Sequence, residues 1–168
     1  MGENLLMKIK VKSSELQSND DIWNAILSVY GEYDFPTKDE KLNDFFILFN
    51  FFCEIESGGH ECLFNWFSKD IEEMGIQTYL NRLTKMLRKV GAPEYAKIEM
   101  NYLEELWRLF LAVESSGSEE SHSEYLVAEF YMLIEKADGE YRNLGDKLSE
   151  RLSIYATAIY TEVLEIVE

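Results

Sequence analysis

The chain has 168 residues, 46% of them hydrophobic and 14% aromatic, with two prolines and nine glycines. This is apolar material enough for one core, which excludes wholesale disorder, and so few Pro and Gly favour long regular elements over a loop-rich sheet protein. Thirty-two acids against sixteen bases leave a net charge of −16, a field that repels nucleic acid and anionic lipid and speeds encounter with basic proteins. The plainer reading of that charge is that it keeps the protein soluble.

No charged-then-apolar leader pattern opens the sequence. The most apolar run, residues 45–53, is nine residues long and interrupted by Asn50, against about 20 for a membrane span. Two cysteines without a secretory context read as reduced thiols, so the expected compartment is the cytoplasm.

Met7, Ile9 and Val11 alternate with Lys8, Lys10 and Lys12, the period of a short strand, although residues 1–18 read equally well as a loose basic tail. Residues 19–168 read as one helical domain. Asn19 or Asp20 can cap a first helix carrying Ile22, Trp23, Ile26, Leu27 and Tyr30, with Gly31 as its stop. Thr37 and Glu40 have the spacing of a capping box. The helix they open carries Leu42, Phe45, Phe46, Phe49, Phe52 and Cys53 on one face, and Ile47, Leu48 and Phe51 elsewhere. A helix apolar nearly all round is a central one. It is expected to end at Ser57-Gly58-Gly59, where a glycine can take the left-handed conformation and turn the chain into a short aromatic segment, Leu63, Phe64, Trp66 and Phe67.

Ile76, Tyr79, Leu80, Leu83, Leu87 and Val90 form the next stripe, with Arg88 and Lys89 suiting the negative helix end, Gly91 stopping it and Pro93 restarting. That next helix is expected to bury Ala96, Met100, Leu103, Trp107 and Phe110. The Ser-rich residues 114–123 read as an exposed connection. A helix over 124–137 follows, then Asp138-Gly139 as a turn, then a last helix carrying Leu144, Leu148, Leu152, Tyr155, Ile159, Val163 and Ile166 or Val167. The expected fold is an all-α, single-domain bundle of six or seven helices with a short N-terminal strand.

The residue types for chemistry are few. Cys53, His60 and Cys62 lack the spacing and the fourth ligand of a zinc site. Cys62 lies among Glu54, Glu56 and Glu61, which hold a thiol protonated when a nucleophile needs the thiolate. His122 falls in the Ser-rich connection. Glu54 and Glu56 are two apart and do not face one another on a helix. Ser57-Gly58-Gly59-His60 lacks the Gly-Lys and the preceding strand of a phosphate loop. The reading is therefore no enzyme, no metal and no cofactor. Its rival is an enzyme using Glu54, Glu56, His60 and Cys62, which a deep pocket lined by them would support and their burial as packing groups would end.

Residues 94–168 hold 17 of the acids and six of the bases. Glu120 and Glu124, and Asp146 and Glu150, are four apart, while Glu162, Glu165 and Glu168 are three apart. On helices such like charges are neighbours about 5–6 Å apart at Cβ and mildly destabilising. DNA phosphates repeat on a comparable scale, about every 3.4 Å per strand. Rows of carboxylates can thus address a DNA-binding surface, with Glu104, Glu105, Glu119, Glu120, Glu124, Glu129, Asp146 and Glu150 as candidate contact residues.

The segment Glu54-Ile55-Glu56-Ser57-Gly58-Gly59-His60-Glu61-Cys62-Leu63-Phe64-Asn65 resembles the E-V-x-N-G-G-F-x-Q-aromatic signature of the bacterial DNA-mimic protein nineteen family. Ser57, His60 and Cys62 stand where that signature has Asn, Phe and Gln. The stretch from Val90 through Gly91, Ala92 and Ala96 to Ile98 resembles its G-A-x-x-x-A-x-I junction, and Asp138 to Tyr141 its terminal D-x-x-Y helix. The likeness runs over residues 20–160. It implies a helical fold in which Glu54, Gly58, Gly59, Asn65, Gly91 and Ala92 are structural. It also implies a non-enzymatic protein, since the family takes its name from a member that resembles DNA in charge and occupies a transcription factor's DNA-binding surface.

The leading expectation is therefore an acidic protein that sequesters a basic one, such as a transcriptional repressor, without binding nucleic acid or membrane itself. The alternatives are an immunity-type inhibitor of a basic toxin or nuclease, and a bundle whose apolar patch makes a homodimer.

Overall fold

The computed structural model describes residues 9–116 and 120–168, with backbone alone for residues 9 and 120–123. Met7, Lys8 and Glu119 lie outside the described residues. Six helices are seen, α1 (Asn19–Glu32), α2 (Glu40–Met74), α3 (Ile76–Lys89), α4 (Pro93–Ser115), α5 (Glu120–Asn143) and α6 (Lys147–Val163), with a two-stranded sheet of β1 (Ile9–Lys12) and β2 (Leu164–Val167). The fold is all-α, as its periodicity predicts.

The Phe-rich segment is the axis. Phe45, Ile47, Leu48, Phe49, Phe51 and Phe52 are all buried, so the first arm of α2 is covered on every side. Gly58 and Gly59 leave helical geometry, Gly59 with φ of 74°, and the two arms fold back on one another. The rings of Phe46 and Phe67 lie 6.0 Å apart, whereas a straight helix would separate them by about 30 Å. The aromatic segment expected after the glycines is thus the second helical arm. Phe35 stacks on Phe46 at 4.9 Å and also touches Phe67, closing the open end of this hairpin. Helix α1 lies against the first arm through Trp23 on Phe49 and Phe52 and Tyr30 on Phe46. Beyond it, α3 packs on the second arm through Tyr79 on Phe67, and α4 and α5 join at Trp107, Phe110 and Phe130 around Phe64.

Several local expectations are corrected. Ser18, not Asn19 or Asp20, caps α1 by accepting from the Asp21 N–H at 3.1 Å, and α1 runs through Gly31 to Glu32. The Thr37–Glu40 box is replaced by Asp39, whose carboxylate accepts from the Leu42 N–H at 3.1 Å, because the Thr37 backbone is held by the buried Asn43. Asp138 and Gly139 do not turn the chain; the core demands of Phe130, Ile134, Ala137 and Tyr141 carry α5 straight through them. Met100 is 54% exposed, and the core position assigned to it belongs to Glu99. Helix α6 stops at Val163 because residues 164–167 pair in parallel with β1, setting Lys10 opposite Glu165 and Val11 opposite Ile166. The three-residue spacing of Glu162, Glu165 and Glu168 is therefore not a helical row.

The junction of α3 and α4 follows the expectation. Gly91 takes φ of 82°, its N–H donates to the Arg88 carbonyl, and the Ala92 N–H donates to the Leu87 carbonyl. This paired closure needs the left-handed residue that glycine supplies. Arg151 of α6 donates to the Gly91 carbonyl and pairs with Glu94, fixing α6 across the junction.

Two buried polar side chains make contrasting predictions. Asn43 accepts from the Tyr33 hydroxyl (2.7 Å) and the Thr37 N–H (2.9 Å) and donates to the Thr37 carbonyl (2.7 Å). Tyr79 is fully buried, and its hydroxyl has no partner among the described residues. Asn43→Ala is expected to lower the unfolding free energy by about 2–4 kcal/mol, because it strands the groups it served. Tyr79→Phe is expected to leave stability within about 0.5 kcal/mol or raise it. Denaturant titration of both variants checks this, and a large loss in Tyr79→Phe would reveal a partner for its hydroxyl.

Candidate functional site

Where the α2 hairpin turns, the chain places its most unusual cluster. His60 opens the second arm and is wholly buried. Its Nδ1 lies 2.6 Å from Asp138 Oδ1, and its Nε2 lies 2.9 Å from both carboxylate oxygens of Glu99. The His60 backbone N–H donates to the same Asp138 oxygen at 3.1 Å. One carboxylate from α5 thus caps the second arm, where the helix dipole favours an anion, and also holds the ring. Glu99, from α4, is wholly buried as well, while Asp138 keeps a side-chain exposure of 15%.

Two carboxylate acceptors on two ring nitrogens call for the doubly protonated imidazolium, the form with donors at both positions. Burial opposes that charge, but the adjacent Glu99 charge and the bonds to Asp138 and Glu99 outweigh it and push His60 up to about 10. The cluster is a permanently charged network at neutral pH, of the kind affordable in a core only when every member is bonded. Gly59 is required by it. A Cβ there would come 2.2 Å from Asp138 Oδ2, and its positive φ is itself unfavourable for other residues.

Around this centre the other candidate residues divide. Glu54 is half-buried and accepts from the Tyr30 hydroxyl (3.4 Å) and the Cys62 thiol (3.2 Å). Glu56 is exposed and accepts from the Tyr141 hydroxyl at 2.9 Å. The two glutamates diverge, one toward α1 and the other toward α5, as their spacing predicts. Burial, with the Glu54 bond behind it, raises the Cys62 thiol, and burial followed by the Glu54 and Glu56 charges pushes Cys53 up to about 11. Both cysteines are therefore thiols at neutral pH, not thiolates. Burial and the Glu56 charge raise the Tyr141 hydroxyl too. His60 is turned away from Cys62 toward Glu99 and Asp138, and no group of three His, Cys, Asp or Glu among the described residues is arranged to hold a metal. A depression of about 410 Å³ beside the hairpin tip is lined by Glu56, Gly58, Gly59, Asp138, Tyr141 and Arg142. His60 and Cys62 do not line it.

No protein-family model, curated protein or solved structure matches this chain.

The acids singled out for partner contact fall into separate places. Glu104 is exposed and accepts from Gln77 of α3. Glu105 pairs with Arg108, and with the half-buried Glu129 it flanks the seam between α4 and α5. Glu124 and Asp146 are exposed, and Glu150 lies exposed where α6 meets α1. Glu120 belongs to α5, and Glu119 is outside the described residues. Among the signature positions, Ala92 is buried and Asn65 exposed.

Glu99 and Asp138, which make the site, were missed by the sequence reading. Glu99 carried a signal, since it stands three residues after Ala96 and four before Leu103 on the buried stripe of α4. An acid in such a position needs a buried partner, and the chain has only two histidines. Asp138 carries no signal of burial: beside Gly139 it reads as a turn, and the resemblance marks it only as the first residue of a terminal helix.

Two predictions follow from the network. Gly59→Ala is expected to lower the melting temperature by several degrees in a thermal scan, while Gly31→Ala, which meets open space, leaves it unchanged or higher. For pH, a histidine raised from 6.5 to about 10 stabilises the fold fully below its unfolded value, and that stability is lost as pH rises through its folded value. The unfolding free energy should therefore fall between about pH 6.5 and pH 10, with a slope of up to about 1.4 kcal/mol per pH unit. His60→Gln alone strands Glu99 and should cost about 3–5 kcal/mol. The His60→Gln/Glu99→Gln double variant should lose the slope, which denaturant melts across that pH range measure directly.

Proposed function

We propose that this protein is a non-catalytic binder of a basic protein, in the finer reading a DNA mimic that sequesters a DNA-binding protein such as a transcriptional repressor. The observation that carries the reading is where the acids lie. Among the described residues Glu99 is the one buried acid, so the excess charge of −16 stands almost entirely on the surface. Ion pairs offset it at a few positions, Arg82 with Glu40 and Asp44, Arg108 with Glu105, Arg151 with Glu94 and Lys41 with Glu162. A field of this sign accelerates encounter with cationic surfaces and rejects anionic ones.

The fate of the reactive side chains supports the same reading. His60 is enclosed with both ring nitrogens engaged, and the two thiols are held protonated. The sequence resemblance to the DNA-mimic protein nineteen family supports the finer form.

A pull-down at low salt, eluted in salt steps, tests the proposal. The expected result is a basic DNA-binding protein whose affinity falls at least about tenfold between roughly 0.05 and 0.5 M salt, as screened charges require. Duplex DNA should displace that partner and should not itself bind this protein. A captured nuclease or other toxin would favour the immunity reading, and salt-insensitive capture would overturn the electrostatic one.

A further inference from the structure

A more specific surface is the groove between α1, the first arm of α2 and α6. It is open, about 900 Å³ in volume, and no Lys or Arg lines it. Each helix gives it an acid and an apolar side chain a turn or more along the same stripe: Asp20 and Trp23 on α1, Glu56 and Phe52 on α2, Glu150 and Ile154 on α6. Ser57, Ser149 and Ser153 keep its walls low.

The directions of the helices sort these groups to two ends. Trp23 meets Phe52 while Tyr30 meets Phe46, so α1 runs antiparallel to the first arm. Lys41, near the start of that arm, pairs with Glu162 near the end of α6, so α6 is antiparallel to it as well. Asp20, at the start of α1, Glu150, in the first turn of α6, and Glu56, at the end of the first arm, therefore share the end nearest the hairpin tip. Leu27 and Ile154 mark the other end, and Ile154 is 72% exposed in a helix whose neighbouring turns are well packed.

We propose that this groove takes an amphipathic segment of the basic partner, with a Lys or Arg held among Asp20, Glu56 and Glu150 and an apolar side chain one turn away resting on Trp23 and Ile154. The assignment rests on the reading of the protein as a binder of basic proteins and names the surface that does it. Charge complementarity selects the occupant. An anionic or purely apolar segment would leave Asp20 and Glu150 facing it without a cation, with Glu56 beside them already accepting from Tyr141, whereas a cation one helical turn from an apolar anchor satisfies both ends in the helix-in-groove manner.

The three tryptophans report on it. Trp23 lines the groove, Trp66 is 75% exposed on the second arm, and Trp107 is buried. The probe is a synthetic peptide of about 18 residues, Leu on one helical face and Lys on the other, with a scrambled isomer of the same composition as control. The expected result is tighter binding of the amphipathic peptide in fluorescence anisotropy, with the Trp23 indole signal shifting in ¹⁵N NMR and the Trp66 signal still. Glu150→Lys should weaken binding at least about tenfold and Ile154→Ser about fivefold, while Glu72→Lys, an equal charge change on the second arm of α2, should alter it by about twofold or less. All three positions are exposed, so the variants should fold, which circular dichroism checks. Equal binding of the scrambled isomer, or equal losses in Glu72→Lys and Glu150→Lys, would overturn the groove while leaving a diffuse acidic binder standing. Failure to bind either peptide, together with an empty salt eluate from the pull-down, would remove both.

Discussion

A hairpin of two apolar helical arms must turn its chain inside the core, and here the turn leaves backbone and side-chain groups that only charge can satisfy. The second arm begins at His60 with an N–H that the Gly58 and Gly59 geometry has removed from the helical ladder. Asp138 supplies the acceptor. Having come so close that Gly59 cannot carry a Cβ, the carboxylate brings its charge into the core, and His60 answers it. Glu99 then completes the network from α4. Helices α2, α4 and α5 are thereby held in one register at one point, and the aromatic contacts of Phe64 with Trp107 and Phe130 lie one to two turns further along the same arms.

The network fixes geometry more than it adds stability. A buried ion pair gains little over apolar side chains of equal volume, yet losing one member leaves an uncompensated charge at about 3–5 kcal/mol. Packing alone would let a Phe-rich arm slide by a turn at modest cost, since Phe45, Phe49 and Phe52 offer similar surfaces. The imidazolium admits one alignment.

Helix positions were legible in the sequence wherever apolar spacing alone decided them. The stripes of α3 and α6 and the Gly91 closure follow from periodicity and from the left-handed preference of glycine. Two of the errors share one cause, which is that a polar residue in a core position reads as an interruption. Glu99 broke the stripe of α4 and passed the core position to Met100, and Asp138 beside Gly139 suggested a turn within α5. The tail of α6 failed for another reason. Whether residues 164–167 stay helical depends on β1, more than 150 residues away, and short apolar runs do not distinguish helix from strand without their partner.

The acidic surface and the buried imidazolium network obey the same electrostatics in different media. Net charge far from zero pushes a compact state apart; inside, the imidazolium is held by the attraction of the two carboxylates it bonds, Glu99 and Asp138, a cluster with no net positive charge. That attraction is long-range within the low-dielectric core and weakly screened by salt, whereas surface carboxylates repel through water that screens them over about 10 Å. The protein can therefore keep acids such as Asp20, Glu56 and Glu150 in an open groove without placing bases beside them, because solvent and salt, not a buried cation, weaken their mutual repulsion. A base beside those acids would relieve repulsion equally well, and it would also fill the position that a cationic partner needs.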